Sequence, residues 1–316
     1  MNPRVAIVSL NYNGKGLLEK YLPSLQRAVK YSKFSCELWV LDNCSSDGST
    51  ELIKQKFSYV KIFEAKENKV LCSYNDFAAA SDHDILIFMN NDIDVEERFV
   101  DPLVEPFLND DTIFFVTPKC FSMADRRYEG NKTKAGIRYG VFWATSVYPG
   151  HEKEIETPSR SFQGGFGALD RKKFLTLGGY DDLYLPGRLE DADICFRAQK
   201  RGWKVLYAPK SVVFHEGGTS FHKRFGIKKT LTVNWRNTFL FMRKNLTAPR
   251  FIWQFIFWMP LRLAYSVLTG RWEFAAGFWQ SLFLMSEAAK RRKVLAAKGL
   301  MMGVSDEQIF KNSVSV

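Results

Sequence analysis

Three short, largely apolar runs, at residues 5–10, 37–41 and 84–89, each stop abruptly in a cluster of Asn, Asp, Ser and Gly. Runs of that length, rich in Val, Ile and Leu, are what strands buried on both faces look like. Between the first two, Leu17, Leu18, Tyr21, Leu22 and Leu25 recur at three and four residues and predict a helix with one apolar stripe. A helix from about Thr50, a short strand at 60–63 and a helix at 74–80 continue the alternation. Strands alternating with helices predict parallel βαβ units and a doubly wound α/β sheet. Ligands of such sheets sit at the carboxyl ends of the strands. The polar clusters at 11–14, 42–49 and 90–94 all fall there, so they predict one shared site.

Composition narrows the class. At 316 residues the chain predicts about two domains, or one large α/β domain with an appendage. Hydrophobic residues at 46% and charged residues at 25% exclude collagen-like, disordered and heptad-dominated chains. A mean hydropathy of −0.21 excludes a polytopic membrane protein. The five cysteines are scattered with no Cys-x-x-Cys pair, which supports neither a zinc knuckle nor a disulfide framework and points to a reducing compartment. The apolar stretch at 5–10 is too short for the core of a signal peptide, so the expected location is cytoplasmic. Gly-x-Gly-x-x-Gly and P-loop patterns are absent from the first turn, which disfavours dinucleotide dehydrogenases and P-loop kinases.

Several residues are chemically suggestive on their own. Asn90-Asn-Asp-Ile-Asp94 offers hard oxygen ligands at a strand end, suited to Mg²⁺ or Mn²⁺ beside a diphosphate, or equally to an Asx turn. Glu190-Asp191 opens a helix, where carboxylates also complement the helix dipole.

Together the motifs resemble a known family. Val5-Ala-Ile-Val-Ser-Leu-Asn-Tyr-Asn13, Val40-Leu-Asp-Asn-Cys-Ser-Ser-Asp-Gly-Ser49, Met89-Asn-Asn-Asp-Ile-Asp94, Gly178-Gly-Tyr-Asp181 and Leu189-Glu-Asp-Ala-Asp-Ile-Cys-Phe-Arg197 resemble, in order, the motifs of family 2 inverting glycosyltransferases with the Rossmann-like GT-A fold. His215-Glu-Gly-Gly-Thr-Ser220 resembles the His-x-x-Gly-x-Ser element of the rhamnosyltransferase-like branch. The resemblance implies a nucleotide-diphosphate sugar donor, a Mn²⁺ or Mg²⁺ cofactor, and a glycan or lipid-linked acceptor in cell-surface polysaccharide synthesis. It implies that Asp42 accepts from the base, Tyr12 lines it, Asn91 meets the ribose and Asp92 holds the ion, with Asn90 where many members have Asp. Asp191 matches the catalytic base. Its neighbours Glu190 and Asp193 are expected to raise its pKa by like-charge repulsion. His215 is expected at the metal or pyrophosphate, or else as a structural histidine. Gly164, in Gln163-Gly-Gly-Phe-Gly-Ala168, faces donor and acceptor or forms a tight turn. Asn68 and Asn75 are expected near the nucleotide, in a loop where Val70 replaces a usual glycine and predicts a changed conformation. The basic stretch 222–229 reads as a lid over the diphosphate or a solvated face, and Trp235-Arg-Asn237 matches a family element of no stated role.

From Phe241 onward, 11 Lys/Arg against 4 Asp/Glu carry +7 of the net +11. The expected division is a catalytic domain at 1–240 and an amphipathic helical extension at 241–316. The aromatic run 251–261, broken by Gln254 and Pro260 and followed by Arg262, is expected to fall short of a membrane span and to lie on an anionic membrane surface on the cytoplasmic side. The alternative is burial against the catalytic domain or a second subunit, as in a homodimer. A catalytically silent nucleotide-sugar-binding member and a nucleic-acid binder are competing functions. The intact Asp42, Asp92 and Asp191 set disfavours the first, and the helical spacing of the aromatics disfavours nucleic acid.

Overall fold

The computed structural model describes residues 2–217 and 225–314. The chain opens with β1 (Arg4–Asn11), α1 (Lys15–Tyr31), β2 (Ser35–Asp42), α2 (Ser49–Lys56), β3 (Lys61–Glu64), α3 (Tyr74–Ala80) and β4 (Ile85–Asn90). It continues through β5 (Ile93–Val95), α4 (Asp101–Asn109), β6 (Ile113–Ser122) and β7 (Tyr128–Gly130). A separate hairpin, β8 (Lys134–Arg138) and β9 (Val141–Thr145), follows. Then come β10 (Ser159–Arg160), β11 (Gly167–Asp170), α5 (Arg171–Thr176), α6 (Glu190–Lys200) and β12 (Lys204–His215). Helices α7 (Ile227–Asn245), α8 (Pro249–Leu268), α9 (Trp272–Phe283), α10 (Met285–Ala297) and α11 (Asp306–Val314) close the chain.

The main sheet runs β10-β12-β6-β11-β4-β1-β2-β3. Strands β3, β2, β1 and β4 pair in parallel, as the alternation predicts. Strand β11 is antiparallel to both β4 and β6, so the sheet is mixed and parallel-rich. Both faces are covered. In β1, Val5 and Ile7 enter the core under one layer while Ala6 and Val8 enter the core on the other, which is why that strand reads as an unbroken apolar run. In α1 the predicted stripe is real: Leu18, Tyr21, Leu22 and Leu25 are buried.

The C-terminal helices share a third core with earlier elements. Phe142 and Phe162 meet Phe196, Phe241, Phe251 and Phe310 there. Helix α7 runs straight through the expected 240/241 boundary. Helix α8 is continuous across Pro260 and, by length and composition alone, is long and apolar enough to cross a membrane. This corrects the expectation that its apolar stretch falls short.

Candidate active site

The three polar strand ends meet. Asn11 and Asp42 are in register on β1 and β2. Asn91 Nδ2 donates to Asn11 Oδ1 at 2.7 Å, and Asn11 Nδ2 donates to Asp42 Oδ1 at 3.2 Å, giving one chain of bonds across β4, β1 and β2. The other Asp42 oxygen accepts from the Ser45 backbone N–H at 2.9 Å. Both Asn11 and Asp42 are buried, so this network is held rigidly. Gly14 lies against the Asn91 amide, leaving no room there for a side chain. Tyr12 stands exposed in the same loop.

The neighbouring loop carries Asn68. Its Oδ1 accepts from Asn43 Nδ2 at 2.9 Å and from the Val70 N–H at 3.0 Å. Val70 adopts φ 53°, in the left-handed region that glycine favours. Asn68 and Asn43, which also donates to the Val70 carbonyl at 3.3 Å, hold it there.

A cleft of about 740 Å³ brings Asn90, Asp92 and His215 together with Gln163, Arg188, Glu190 and Asp191. His215 ends β12, and its Nε2 lies 3.4 Å from Asp92 Oδ2. Its other nitrogen meets Glu129 Oε2, on β7, at 2.9 Å. Burial works against the imidazolium, yet the bonds and charges of Asp92 and Glu129 outweigh it and push the His215 pKa up to about 9. The second carboxylate oxygen of Asp92 is buried with no hydrogen-bond partner. A carboxylate with one buried, unpartnered oxygen and the other facing an imidazole fits a divalent cation. The outer Glu129 orients the histidine as carboxylates do behind metal ligands. Among the described residues no group of three His, Cys, Asp or Glu forms a full cage. A cation here would therefore need oxygens from its own substrate, as Mg²⁺ commonly does.

In the same cleft, α6 begins with Glu190 and Asp191. Asp191 Oδ1 accepts from the Ala192 N–H at 2.8 Å and Oδ2 from Gln163 Nε2 at 3.2 Å. Burial raises its pKa, while backbone N–H groups and Arg188 act to lower it. The expected repulsion from Glu190 and Asp193 is not what lifts it. Repulsion falls instead on Glu190, whose pKa burial and then Asp191 push up to about 8. Asp193 is neutralised inside the core, with Arg197 Nε and Lys244 Nζ each at 2.7 Å and Tyr184 and Asn245 donating as well. Its pKa is depressed: Arg197 and Lys244 outweigh the opposing effect of burial.

The sequence profile of glycosyl transferase family 2 matches residues 6–178, more than half of the chain. The chain belongs to glycosyl transferase family 2. Among relatives in this group, N-acetylgalactosaminyltransferase 7 of Drosophila melanogaster is 24% identical over 179 residues, 52% of this chain and 30% of the relative. A Drosophila melanogaster chain carrying the name polypeptide N-acetylgalactosaminyltransferase 10 is 27% identical over 139 residues, 42% of this chain and 22% of the relative. This chain thus spans less than a third of these relatives' length. Among solved structures, GalNAc-T7 with UDP, GalNAc and Mn²⁺ aligns with TM-score 0.60 at 21% identity, over 77% of this chain and 48% of that one. The mannosyltransferase PcManGT from Pyrobaculum calidifontis with GDP-Man and Mn²⁺ aligns with TM-score 0.54 at 14% identity, over 95% of this chain and 87% of that one. These likenesses bear out the GT-A fold.

Within this family frame, some expected residues do not reach the cleft. The Asn75 amide is spent on the Tyr180 backbone, donating at 2.8 Å and accepting at 2.9 Å. A Cβ on Gly164 would lie 2.6 Å from Thr117 and 2.7 Å from Phe115, so this glycine serves packing. The end of the His-x-x-Gly-x-Ser element and positions 222–224 of the basic stretch lie outside the described residues.

Other residues went unassigned in the sequence. Glu129 carries no local pattern that would mark it. Trp235-Arg-Asn237 was visible as a motif, and the structure gives it work. The buried Asn237 Nδ2 donates to the carbonyls of Tyr184, Gly187 and Arg188 at 2.6, 2.8 and 3.0 Å. That loop delivers Glu190 and Asp191, and Arg188 and Leu189 in it hold φ values of 79° and 75°, strained conformations that need such support.

Proposed function

We propose that this chain is an inverting, metal-dependent glycosyltransferase that moves a sugar from a nucleotide-diphosphate donor to a hydroxyl of a glycan or lipid-linked acceptor in cell-surface polysaccharide synthesis. It works as a peripheral protein on the cytoplasmic face of the membrane. The observation that carries the reading is the single cleft that Asp92, His215 and Asp191 all line. Asp42, Asn11 and Asn91 continue from it as a polar floor for the nucleoside.

Asp92 and His215 would hold Mn²⁺ or Mg²⁺, which when bound stabilises negative charge on the leaving diphosphate. Asp191 takes the proton of the acceptor hydroxyl as that oxygen bonds to the anomeric carbon. The bond from that carbon to the diphosphate oxygen breaks, and its electron pair leaves with the nucleotide. Gln163 fixes the carboxylate for that role. Glu190, with its pKa near 8, is protonated at neutral pH and so leaves Asp191 as the proton acceptor.

The solved structures with UDP and GalNAc and with GDP-Man put UDP-GalNAc in the donor panel beside GDP-mannose, and the rhamnosyltransferase-like His215 element adds dTDP-rhamnose. Nucleotide release in Mn²⁺ should be abolished by chelator and by Asp92→Ala. Asp191→Asn should bind donor normally yet lose about 10²–10⁴-fold in kcat. NMR of the product should show an inverted anomeric centre. Donor binding without any transfer would instead favour a silent binding member, and full activity in chelator would remove the metal.

A further inference from the structure

A second groove of about 640 Å³ adjoins the catalytic cleft, and Trp235 lines both. Nothing in the donor chemistry accounts for it. Its walls are aromatic: Trp235 meets Phe274 edge-on at 4.9 Å, and Tyr139 meets Trp258 at 5.0 Å. Tyr139 belongs to the β8–β9 turn. The adjoining Gly140 packs so closely on α8 that a Cβ would lie 2.5 Å from the Gln254 carbonyl, which pins the turn in place. Flat aromatic faces with polar neighbours are suited to the apolar faces of a sugar ring.

The groove also holds two guanidiniums. Arg262 lies over the Phe274 ring at 4.9 Å and Arg271 over Tyr265 at 5.6 Å. Among the described residues neither has a carboxylate within 4 Å, although Glu273 lines the same groove. Two cations stacked on rings, Arg262 half-buried and Arg271 exposed, with N–H donors left over, match a phosphate in charge and shape. Beyond them, Leu261 and Tyr265 are each 55% exposed and lead into the apolar outer face of α8.

We infer that this groove is the acceptor site and that it takes a saccharide carried on a lipid phosphate. The sugar lies at Trp235 and Trp258, the phosphate between Arg262 and Arg271, and the chain along Leu261 and the outer face of α8. The inference rests on the glycosyl transfer proposed above and adds the chemical class of the acceptor.

The test uses the full chain with its donor site filled by whichever of UDP, GDP or dTDP binds with Mn²⁺. Farnesyl diphosphate, inorganic diphosphate and dodecyl maltoside are titrated by calorimetry. Farnesyl diphosphate should bind at least about 10-fold more tightly than either of the others, without displacing nucleotide, because only it combines charge and chain. Arg262→Gln and Arg271→Gln should each weaken it about 10-fold. Arg250→Gln, which alters a charge on α8 outside the groove, should leave it unchanged. If Arg262→Gln does not fold, the exposed Arg271 decides. Displacement of nucleotide, indifference to both arginines, or an equal loss in Arg250→Gln would overturn the acceptor site. A chain that binds no nucleotide at all would overturn the glycosyl transfer and this inference with it.

Discussion

At Val70 a β-branched side chain sits where glycine would be at ease, with φ 53°. Such conformations cost of order 1–3 kcal/mol, partly offset in a glycine variant by the greater freedom of its unfolded chain. Val70→Gly should therefore raise stability by about 1 kcal/mol in urea unfolding, and a loss would show that the Val70 side chain is itself needed by the loop. Glu190 makes a second residue-scale prediction. Its carboxyl rises from an ordinary value near 4.5 to about 8 on folding. Between those values the folded chain keeps a proton that the unfolded chain has released. The sign follows: stability from this group is full below pH 4.5 and falls as pH rises toward 8. Glu190→Gln should flatten the decline in Tm between pH 5 and 8 relative to wild type, and an unchanged slope would mean that Glu190 is not held protonated. Asp42, Asp92, Asp191 and His215 were legible in the sequence because each sits in a short motif at a strand or helix end. Glu129 was not, since its role comes from β7 lying beside β12. The source of the Asp191 shift was misjudged for a similar reason, because the cations that neutralise Asp193 come partly from α7, far along the chain.

At the scale of elements, the alternation of strand and helix through β4 was legible because each apolar run is buried on both faces by its own period. The antiparallel insertion of β11 was not, since Gly167–Asp170 is only four residues with no alternation to read. Helix α7 was the larger surprise. One part of it brings Trp235 to the catalytic cleft, while Asn237 holds the loop ahead of α6 and Lys244 reaches Asp193 and Asp181 at 2.7 and 2.5 Å. Asn237 is thus a positioning residue for Asp191. Asn237→Ala should lower kcat about 10-fold while nucleotide affinity stays within about twofold, because the nucleoside floor lies on other strands. A purely structural role would lower Tm and both constants together, and Asn237→Ala with unchanged kcat would free the loop from dependence on this amide.

At the scale of the molecule, the shared core changes how the membrane proposal must be tested. Removing everything from Phe251 would strip Phe251, Phe274 and Phe310 from a core that also holds Phe142, Phe162 and Phe196, so truncation should unfold the catalytic part. The outer face is a separate matter. Trp253, Phe257 and Phe283 are 69%, 66% and 85% exposed on α8 and α9, and exposed apolar patches of this kind mark membrane or protein contacts. The basic contribution is smaller than the run at 290–293 suggests. Arg291 is engaged by Asp181, Asp182 and Glu287, and Arg292 donates to the carbonyls of Arg243 and Leu246. That leaves Lys293, and Lys290 through only a long 4.0 Å pair with Glu287, to face an anionic surface, about 1 kcal/mol each at most. Trp253→Gln, Phe257→Gln and Phe283→Gln combined should abolish co-sedimentation with anionic vesicles at low salt and leave Tm unchanged. Lys290→Gln with Lys293→Gln should remove most of the salt sensitivity yet retain part of the binding. If the triple variant still pellets, the membrane contact lies elsewhere. If wild type instead sediments as a dimer that this triple variant splits, the apolar face belongs to a second copy of the chain.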